Sequence, residues 1–245
     1  MARQKSGFWD TIKTVVYAVL IALGIRTLLY EPFNIPSGSM IPTLLVGDYL
    51  FVSKFSYGYS KHSLPLSLPL FSGRILASEP ERGDVAVFKL PRDGHTDYIK
   101  RIIGLPGDRV QMRKGVLYLN DVAVPRAELD GFKGASPSGE THPLPQFEET
   151  LPGGRTYRIL KLMDDASLDD TPVFVVPPRH YFALGDNRDN SLDSRAAGGV
   201  GFIPAENLIG RAEFLFFSTN GAARIWEIWN WPKAIRFGRL FDAVE

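Results

Sequence analysis

The stretch "RVQMRKGVLYLNDVAV", Arg109 to Val124, decides the fold class. Apolar and polar residues alternate in part on either side of Lys114-Gly115, which is the period of a strand with one buried face. A glycine between two such runs lets the chain fold back as a hairpin, and Asn120-Asp121 supplies a second turn into another strand. Working outward, "YLFVSKF" (Tyr49 to Phe55), "DVAVFKL" (Asp84 to Leu90), "TYRILKLM" (Thr156 to Met163), "TPVFVVP" (Thr171 to Pro177), "RHYFALGD" (Arg179 to Asp186) and "GRAEFLFF" (Gly210 to Phe217) have strand composition. The expectation is a mostly β, antiparallel unit. Residues 110–179 carry strands and loops of their own and are expected to form a smaller inserted β domain. The larger unit then comprises 32–109 and 180–245.

Two stretches read as loops. Residues 61–75, "KHSLPLSLPLFSGRI", are rich in Pro, Ser and Leu and suit either an apolar loop beside a membrane or a lid over the core. Residues 131–154, "GFKGASPSGETHPLPQFEETLPGG", are polar and full of breakers and are expected to be a surface loop. The late stretch "RIWEIWNWPKAIRFGRLF" holds three of the four Trp residues. It suits either core packing of a last element or contact with a membrane interface.

Near the start, "TVVYAVLIALGIRTLLY" (Thr14 to Tyr30) is apolar except for Arg26. About 17 residues of helix span roughly 26 Å, near the lower limit for crossing a bilayer. No small-x-small cleavage site follows the run, so it reads as an uncleaved anchor over 14–31 rather than a removed signal peptide. Arg3, Lys5 and Lys13 precede it, and only Arg26 lies at its far end. The positive-inside rule puts residues 1–13 in the cytoplasm and the rest of the chain outside it.

Composition excludes several chemistries. Cysteine is absent, so disulfides, thiol catalysis and cysteine-bound zinc are impossible. Net charge is +1, which gives no reason to expect a nucleic-acid partner. The four His (His62, His95, His142, His180) have no metal-ligand spacing and are expected at the surface. "DNSLD" (Asp189 to Asp193) opens like a calcium loop but lacks the glycine and glutamate that would continue it. No phosphate-binding glycine loop occurs. No metal or cofactor is implied.

Serine with lysine remains. "NIPSGSMIPTL" (Asn34 to Leu44) sets Ser37 and Ser39 among prolines and apolar residues. A serine hydroxyl needs a base to become a nucleophile, and a lysine serves when burial lowers its pKa. In "DYIKRIIGLPGD", Lys100 on a strand shares an apolar face with Tyr98 and Ile102, while Arg101 points the other way and cannot give up its proton. Taken alone, the two serines suit a capped proline-rich turn, and the lysine suits a packed stem with a solvated head.

"PSGSMIPTL", "RGDVAVFK", "YIKRIIGLPGD" and "GDNRDNSLDSR", in this order after an anchor, resemble the successive signature boxes of the bacterial type I signal peptidase (leader peptidase) family of Ser–Lys proteases. The resemblance implies a membrane-bound serine endopeptidase that removes signal peptides from secreted preproteins, cutting after small residues at −1 and −3. It implies Ser39 as nucleophile and Lys100 as general base. Ser37 would join the Ser39 N–H in an oxyanion hole. Ser191 would hydrogen-bond and orient the lysine, and Asp193 with Arg195 would support the site. The implied cleft lies near Pro32 to Ser37 and Asp97 to Lys100. The implied setting is the bacterial cytoplasmic membrane, with lipid around the anchor and the protein-translocation machinery nearby. The best-known members carry two membrane segments, and one reads here. A self-cleaving Ser–Lys repressor would need a DNA-binding domain ahead of Ser39, and an inactive tethered binding module would be expected to lack Ser39 or Lys100.

Overall fold

A computed structural model of the chain describes residues 7–64, 67–68, 70–134, 143–223 and 226–245. Helix α1, Phe8–Leu28, is long and apolar enough to cross a membrane, with a mean hydropathy of 1.6, and none of it is buried against the rest of the chain. Its limits differ from the expected 14–31. Lys13 sits inside the helix rather than ahead of it, and Arg3 and Lys5 lie outside the described residues. Tyr30 and Glu31 belong to a strand instead. Pro32 is the cause, because its ring disfavours helical backbone at the residue before it. Its missing N–H is tolerated on a sheet edge.

Fourteen strands follow among the described residues: β1 Tyr30–Asn34, β2 Asp48–Ser53, β3 Val85–Lys89, β4 Asp97–Gly104, β5 Arg109–Arg113, β6 Val116–Leu119, β7 Val122–Ala123, β8 Arg126–Phe132, β9 Leu144–Thr150, β10 Thr156–Leu160, β11 Phe174–Val175, β12 His180–Leu184, β13 Ile203–Pro204 and β14 Leu208–Ser218. They form a seven-stranded sheet ordered β1-β2-β14-β3-β4-β12-β13 and two small sheets, β10-β9-β8 and β11-β5-β6-β7. The strand pairs are antiparallel. The fold is mostly β, as expected. The two turns of the opening stretch carry positive φ at Lys114 (48°), Gly115 (71°), Asn120 (52°) and Asp121 (66°), the backbone that two-residue hairpin loops demand.

β3 is buried on both faces. Val85 and Val87 join Ile35, Met40, Leu50 and Leu215 on one side, while Ala86 and Phe88 join Tyr57, Ile102 and Tyr181 on the other. β14 is the long central strand that bridges β2 to β3. A Cβ on Gly210 would lie 2.2 Å from the Ser53 carbonyl oxygen, so the close approach of β14 to β2 requires glycine there. The small sheets pack onto the large one. Val110, Leu117, Tyr157 and Ile159 share one core with Ile103, Phe182 and Leu184.

Two expectations are corrected here. Residues 131–154 are not one loop, since β8 runs to Phe132 and β9 fills Leu144–Thr150 in the middle of its sheet. Pro143 and Pro145 misled the reading. They fall at the start of β9, where the β8 pairing shifts register, and the Pro145 carbonyl still accepts from Lys161 N–H at 3.2 Å. His62 is buried rather than exposed, in a short turn capped by Ser60, and burial pushes its pKa down. His95 is exposed, His180 is half-buried, and His142 lies outside the described residues. In the late aromatic stretch Trp226 and Trp229 are 65% and 71% exposed, which removes the core-packing reading for them.

Candidate active site

The segment from Ile35 to Leu44 is a chain of turns pinned at apolar points. Ile35, Met40, Ile41 and Leu44 are buried, and Ile35 N–H and Gly47 N–H tie the segment's start to the end of the loop. Full burial of Met40, next to Ser39, stabilises this arrangement by about 1.5–3 kcal/mol. Asn187 holds it from the other side: its N–H donates to the Ser39 carbonyl and its side-chain Nδ2 to the Gly38 carbonyl, both at 3.0 Å. Ser39 is 8% exposed. Ser37 is exposed, and its Oγ lies 3.4 Å from Ser39 Oγ, at the outer limit of a hydrogen bond.

Lys100 comes from β4, on the face shared with Tyr98 and Ile102. It is 3% exposed. Its Nζ lies 2.7 Å from Ser39 Oγ and 2.8 Å from the Ile99 carbonyl oxygen, and 5.5 Å from the centre of the Tyr98 ring. Burial lowers its pKa from 10.5 to about 8, with Asp193 and Asp186 opposing the shift. At pH 7 about one lysine in ten is then neutral, against roughly one in 3,000 at the unshifted value. A neutral amine at this distance can take a proton from the hydroxyl.

The loop after β12 closes the site. Gly185 sits where a Cβ would lie 2.1 Å from Ser191 Oγ and 2.5 Å from the Ser39 carbonyl oxygen, so the loop presses directly on the nucleophile segment. Asp193 is fully buried and accepts from Gly185 N–H at 3.0 Å and from Arg195 Nε and Nη2 at 2.9 and 2.8 Å. Arg195 Nη2 also donates to the Arg188 carbonyl at 2.7 Å. Ser191 departs from expectation. It is buried beside the site, but its Oγ has no hydrogen-bond partner, so the bond to Lys100 that the resemblance implied is not formed.

Sequence reasoning passed over the ionic layer behind the dyad. Arg101 points away from Lys100 and makes a two-pronged pair with Asp186 at 2.9 and 2.8 Å, which Thr43 joins at 2.5 Å. Its guanidinium stacks 4.4 Å from the Tyr157 ring centre. Arg188 pairs with Glu149 of β9. The signal was available: Thr43, Arg101, Asp186, Asn187 and Arg188 all stand inside the quoted boxes, and an arginine in a run as apolar as "YIKRIIG" needs a buried anion.

The two serines and the lysine line a cleft of about 510 Å³. It is lined by Phe33 to Ser39 and by Asp97 to Lys100, with Val87, Asn190 and Leu192. β1 is an edge strand. β12 pairs with β4 only from Arg101 onward, so Asp97 to Lys100 also present an open edge. An extended peptide fits between two such edges by main-chain hydrogen bonding.

A chain that offers a peptide-sized cleft lined by a serine hydroxyl and a partly neutral lysine has the equipment of a peptidase. The family description "Signal peptidase, peptidase S26" matches residues 8–217. Signal peptidase I of Rickettsia canadensis (strain McKiel) is 45% identical, over 94% of this chain and 91% of that one. Signal peptidase I of Rickettsia typhi (strain ATCC VR-144 / Wilmington) is 44% identical, over 92% and 89%. A crystal structure of a signal peptidase I from Enterococcus faecalis V583 is 28% identical, with a TM-score of 0.32 over 55% of this chain and 97% of that one. The chain belongs to the signal peptidase family, peptidase S26, the enzymes that remove signal peptides.

Proposed function

We propose that Ser39 and Lys100 form the catalytic dyad of this peptidase. The observation that carries the reading is the 2.7 Å contact between Lys100 Nζ and Ser39 Oγ in the lining of a peptide-sized cleft. Ser39 Oγ attacks the scissile carbonyl carbon and passes its proton to neutral Lys100. The tetrahedral oxyanion is held by Ser39 N–H, which has no hydrogen-bond partner among the described residues, and by the Ser37 hydroxyl. Lys100 then protonates the leaving amine, and the peptide bond breaks to leave an acyl ester on Ser39. A water that gives its proton to Lys100 hydrolyses the ester. Ser191, Asp193 and Arg195 shape the lysine's surroundings.

The substrate is a preprotein whose residues around the cut lie extended between Phe33–Ser39 and Asp97–Lys100, with small side chains at −1 and −3. The site is formed by residues 32–109 and 180–245, with 110–179 inserted. The helix crosses the bacterial cytoplasmic membrane once, with the chain ahead of it in the cytoplasm and the site outside, close to the translocation machinery. Confining enzyme and signal peptide to one membrane raises their effective concentration. The exposed Trp226 and Trp229 fit the lipid interface.

Purified full-length protein, incubated with a preprotein carrying an A-x-A site, tests the reading. Wild type is expected to release a mature chain whose N-terminus follows that site, and Ser39→Ala and Lys100→Ala are expected to release none. Efficient cutting by Lys100→Ala at neutral pH would remove the lysine from the mechanism.

A further inference from the structure

The ionic layer behind the dyad reaches into the small β8–β10 sheet, and its end there is Glu149. This carboxylate is 1% exposed and accepts from both terminal nitrogens of Arg188, at 2.7 and 2.6 Å. Tyr157 of β10 closes the cluster: its hydroxyl donates to Glu149 at 2.5 Å and accepts from Arg188 at 2.9 Å. The Arg188 main chain is fastened to the same sheet. Its N–H donates to the Leu160 carbonyl at 3.0 Å, and Leu160 N–H donates to the Asp186 carbonyl at 2.9 Å.

From Arg188 two short routes lead to the reacting atoms. Its neighbour Asn187 clamps the carbonyls of Gly38 and Ser39. Its own carbonyl accepts from Arg195, whose guanidinium holds Asp193, and Asp193 faces Lys100. Two ions desolvated this thoroughly rarely add net stability over an apolar pair of the same size, but they do fix a geometry. The plain alternative is a brace between sheets with no bearing on the reaction.

We propose that Glu149 is a positioning residue of this peptidase: from the small sheet it fixes Arg188, and through Arg188 it sets the places of Ser39 and Lys100. This rests on the reading that Ser39 and Lys100 carry the reaction. Glu149 lines no part of the cleft, so it acts on turnover and not on substrate binding.

The test uses full-length protein in detergent, with Glu149→Gln, Tyr157→Phe and the dyad variants Ser39→Ala and Lys100→Ala measured together on one preprotein. Glu149→Gln keeps the shape and removes the charge. Its expected kcat is roughly 10- to 100-fold below wild type, the usual cost of misplacing reacting groups by under about an ångström. KM is expected to stay within about twofold, because only ground-state contacts would move it. The kcat-against-KM split is the readout that a mere brace would leave in place, and the acid limb of kcat/KM reports the charge that the lost carboxylate leaves on Arg188. Asp193 and Asp186 are the charges facing Lys100, Arg195 and Arg101 pair with them, and Arg188 faces Asp186. With Glu149 neutral, the uncompensated Arg188 charge weakens the hold of Asp186 on the lysine proton, so the limb moves to lower pH. Tyr157→Phe leaves the ion pair intact, and a smaller loss of the same kind is expected. Wild-type kcat in Glu149→Gln, with only a lower Tm or a moved acid limb, would overturn the proposal. If Glu149→Gln fails to fold, the same result in Tyr157→Phe overturns it. Full turnover in Ser39→Ala or Lys100→Ala would sink the dyad reading, and this proposal with it. Inactive dyad variants beside an unaffected Glu149→Gln would sink the role of Glu149 alone.

Discussion

Replacing Lys100 by Met is expected to make the folded protein more stable while abolishing turnover. The lysine is held in the lining of the cleft, where burial lowers its pKa from 10.5 to about 8. Between those two values the unfolded chain keeps the proton and the folded chain does not. Stability therefore rises with pH through this window by the contribution of this one group. Below about pH 8 the lysine is charged in both states, and its burial costs the folded state about 3 kcal/mol. Methionine fills similar volume without the charge. The substitution also removes the contacts to Ser39 Oγ and the Ile99 carbonyl, a loss of about 1–2 kcal/mol. The net gain at pH 7 is about 1–2 kcal/mol, or roughly 2–8 °C in Tm for a chain of this size. Thermal unfolding of full-length wild type and Lys100→Met in the same detergent, at several pH values from 6 to 10, measures it. The advantage of the variant should be constant below pH 8 and shrink toward pH 10. A variant less stable than wild type at pH 7, or an advantage independent of pH, would refute the claim that the lysine is held at a cost.

Three other outcomes follow from the same geometry. The kcat/KM profile of wild type should rise through an acid limb near pH 8, because only neutral Lys100 accepts the Ser39 proton; a limb near pH 6.5 would point to a histidine. Ser37→Ala should lower kcat by roughly 100-fold or more with KM little changed, the cost of losing one oxyanion donor, and an equal rise in KM instead would make Ser37 a substrate-binding group. Gly185→Ala forces a methyl against Ser191 and the Ser39 carbonyl, so it should destabilise the fold by about 1–3 kcal/mol and lower kcat; normal turnover and Tm would mean that the loop yields freely.

Local chemistry was readable where a turn favours Gly, Asn or Asp. The two hairpin turns in the opening stretch are carried by Lys114-Gly115 and Asn120-Asp121, and all four residues take positive φ. β3 and β4 could be read from their apolar runs, and the face of Lys100 from the period of a strand. Composition gave the wrong answer where tertiary pairing overrode it. β9 forms despite Pro143 and Pro145, because neighbours on both sides supply its hydrogen bonds, and it carries Glu149. The end of the helix was misplaced because the apolar run continues past Leu28 into β1, while Pro32 and pairing with β2 stop the helix. His62 is buried in a turn whose N–H groups Ser60 and Ser63 satisfy, which no single-residue tendency announces.

The site itself was half legible. An apolar strand face around Lys100 suits a packed stem with a solvated head as readily as a lysine with a lowered pKa, and a proline-flanked Ser-Gly-Ser marks a rigid turn. Nothing in their separation of 61 residues says that they meet. That pairing came from resemblance, and so did the roles of Ser191, Asp193 and Arg195. The resemblance was silent on Asn187 and on the route from Glu149 to Arg188, which exist only once the two sheets have packed.

The central claim is that Ser39 becomes acylated with Lys100 as the base. It is tested most directly by mixing full-length protein with a peptide ester ending in alanine, quenching in acid within the first turnover, and weighing the peptide that contains Ser39. Wild type is expected to carry the added mass of the acyl group on Ser39, with none in Ser39→Ala and far slower accumulation in Lys100→Met. An acyl group on any other residue, or equally fast acylation in Lys100→Met at neutral pH, would contradict it.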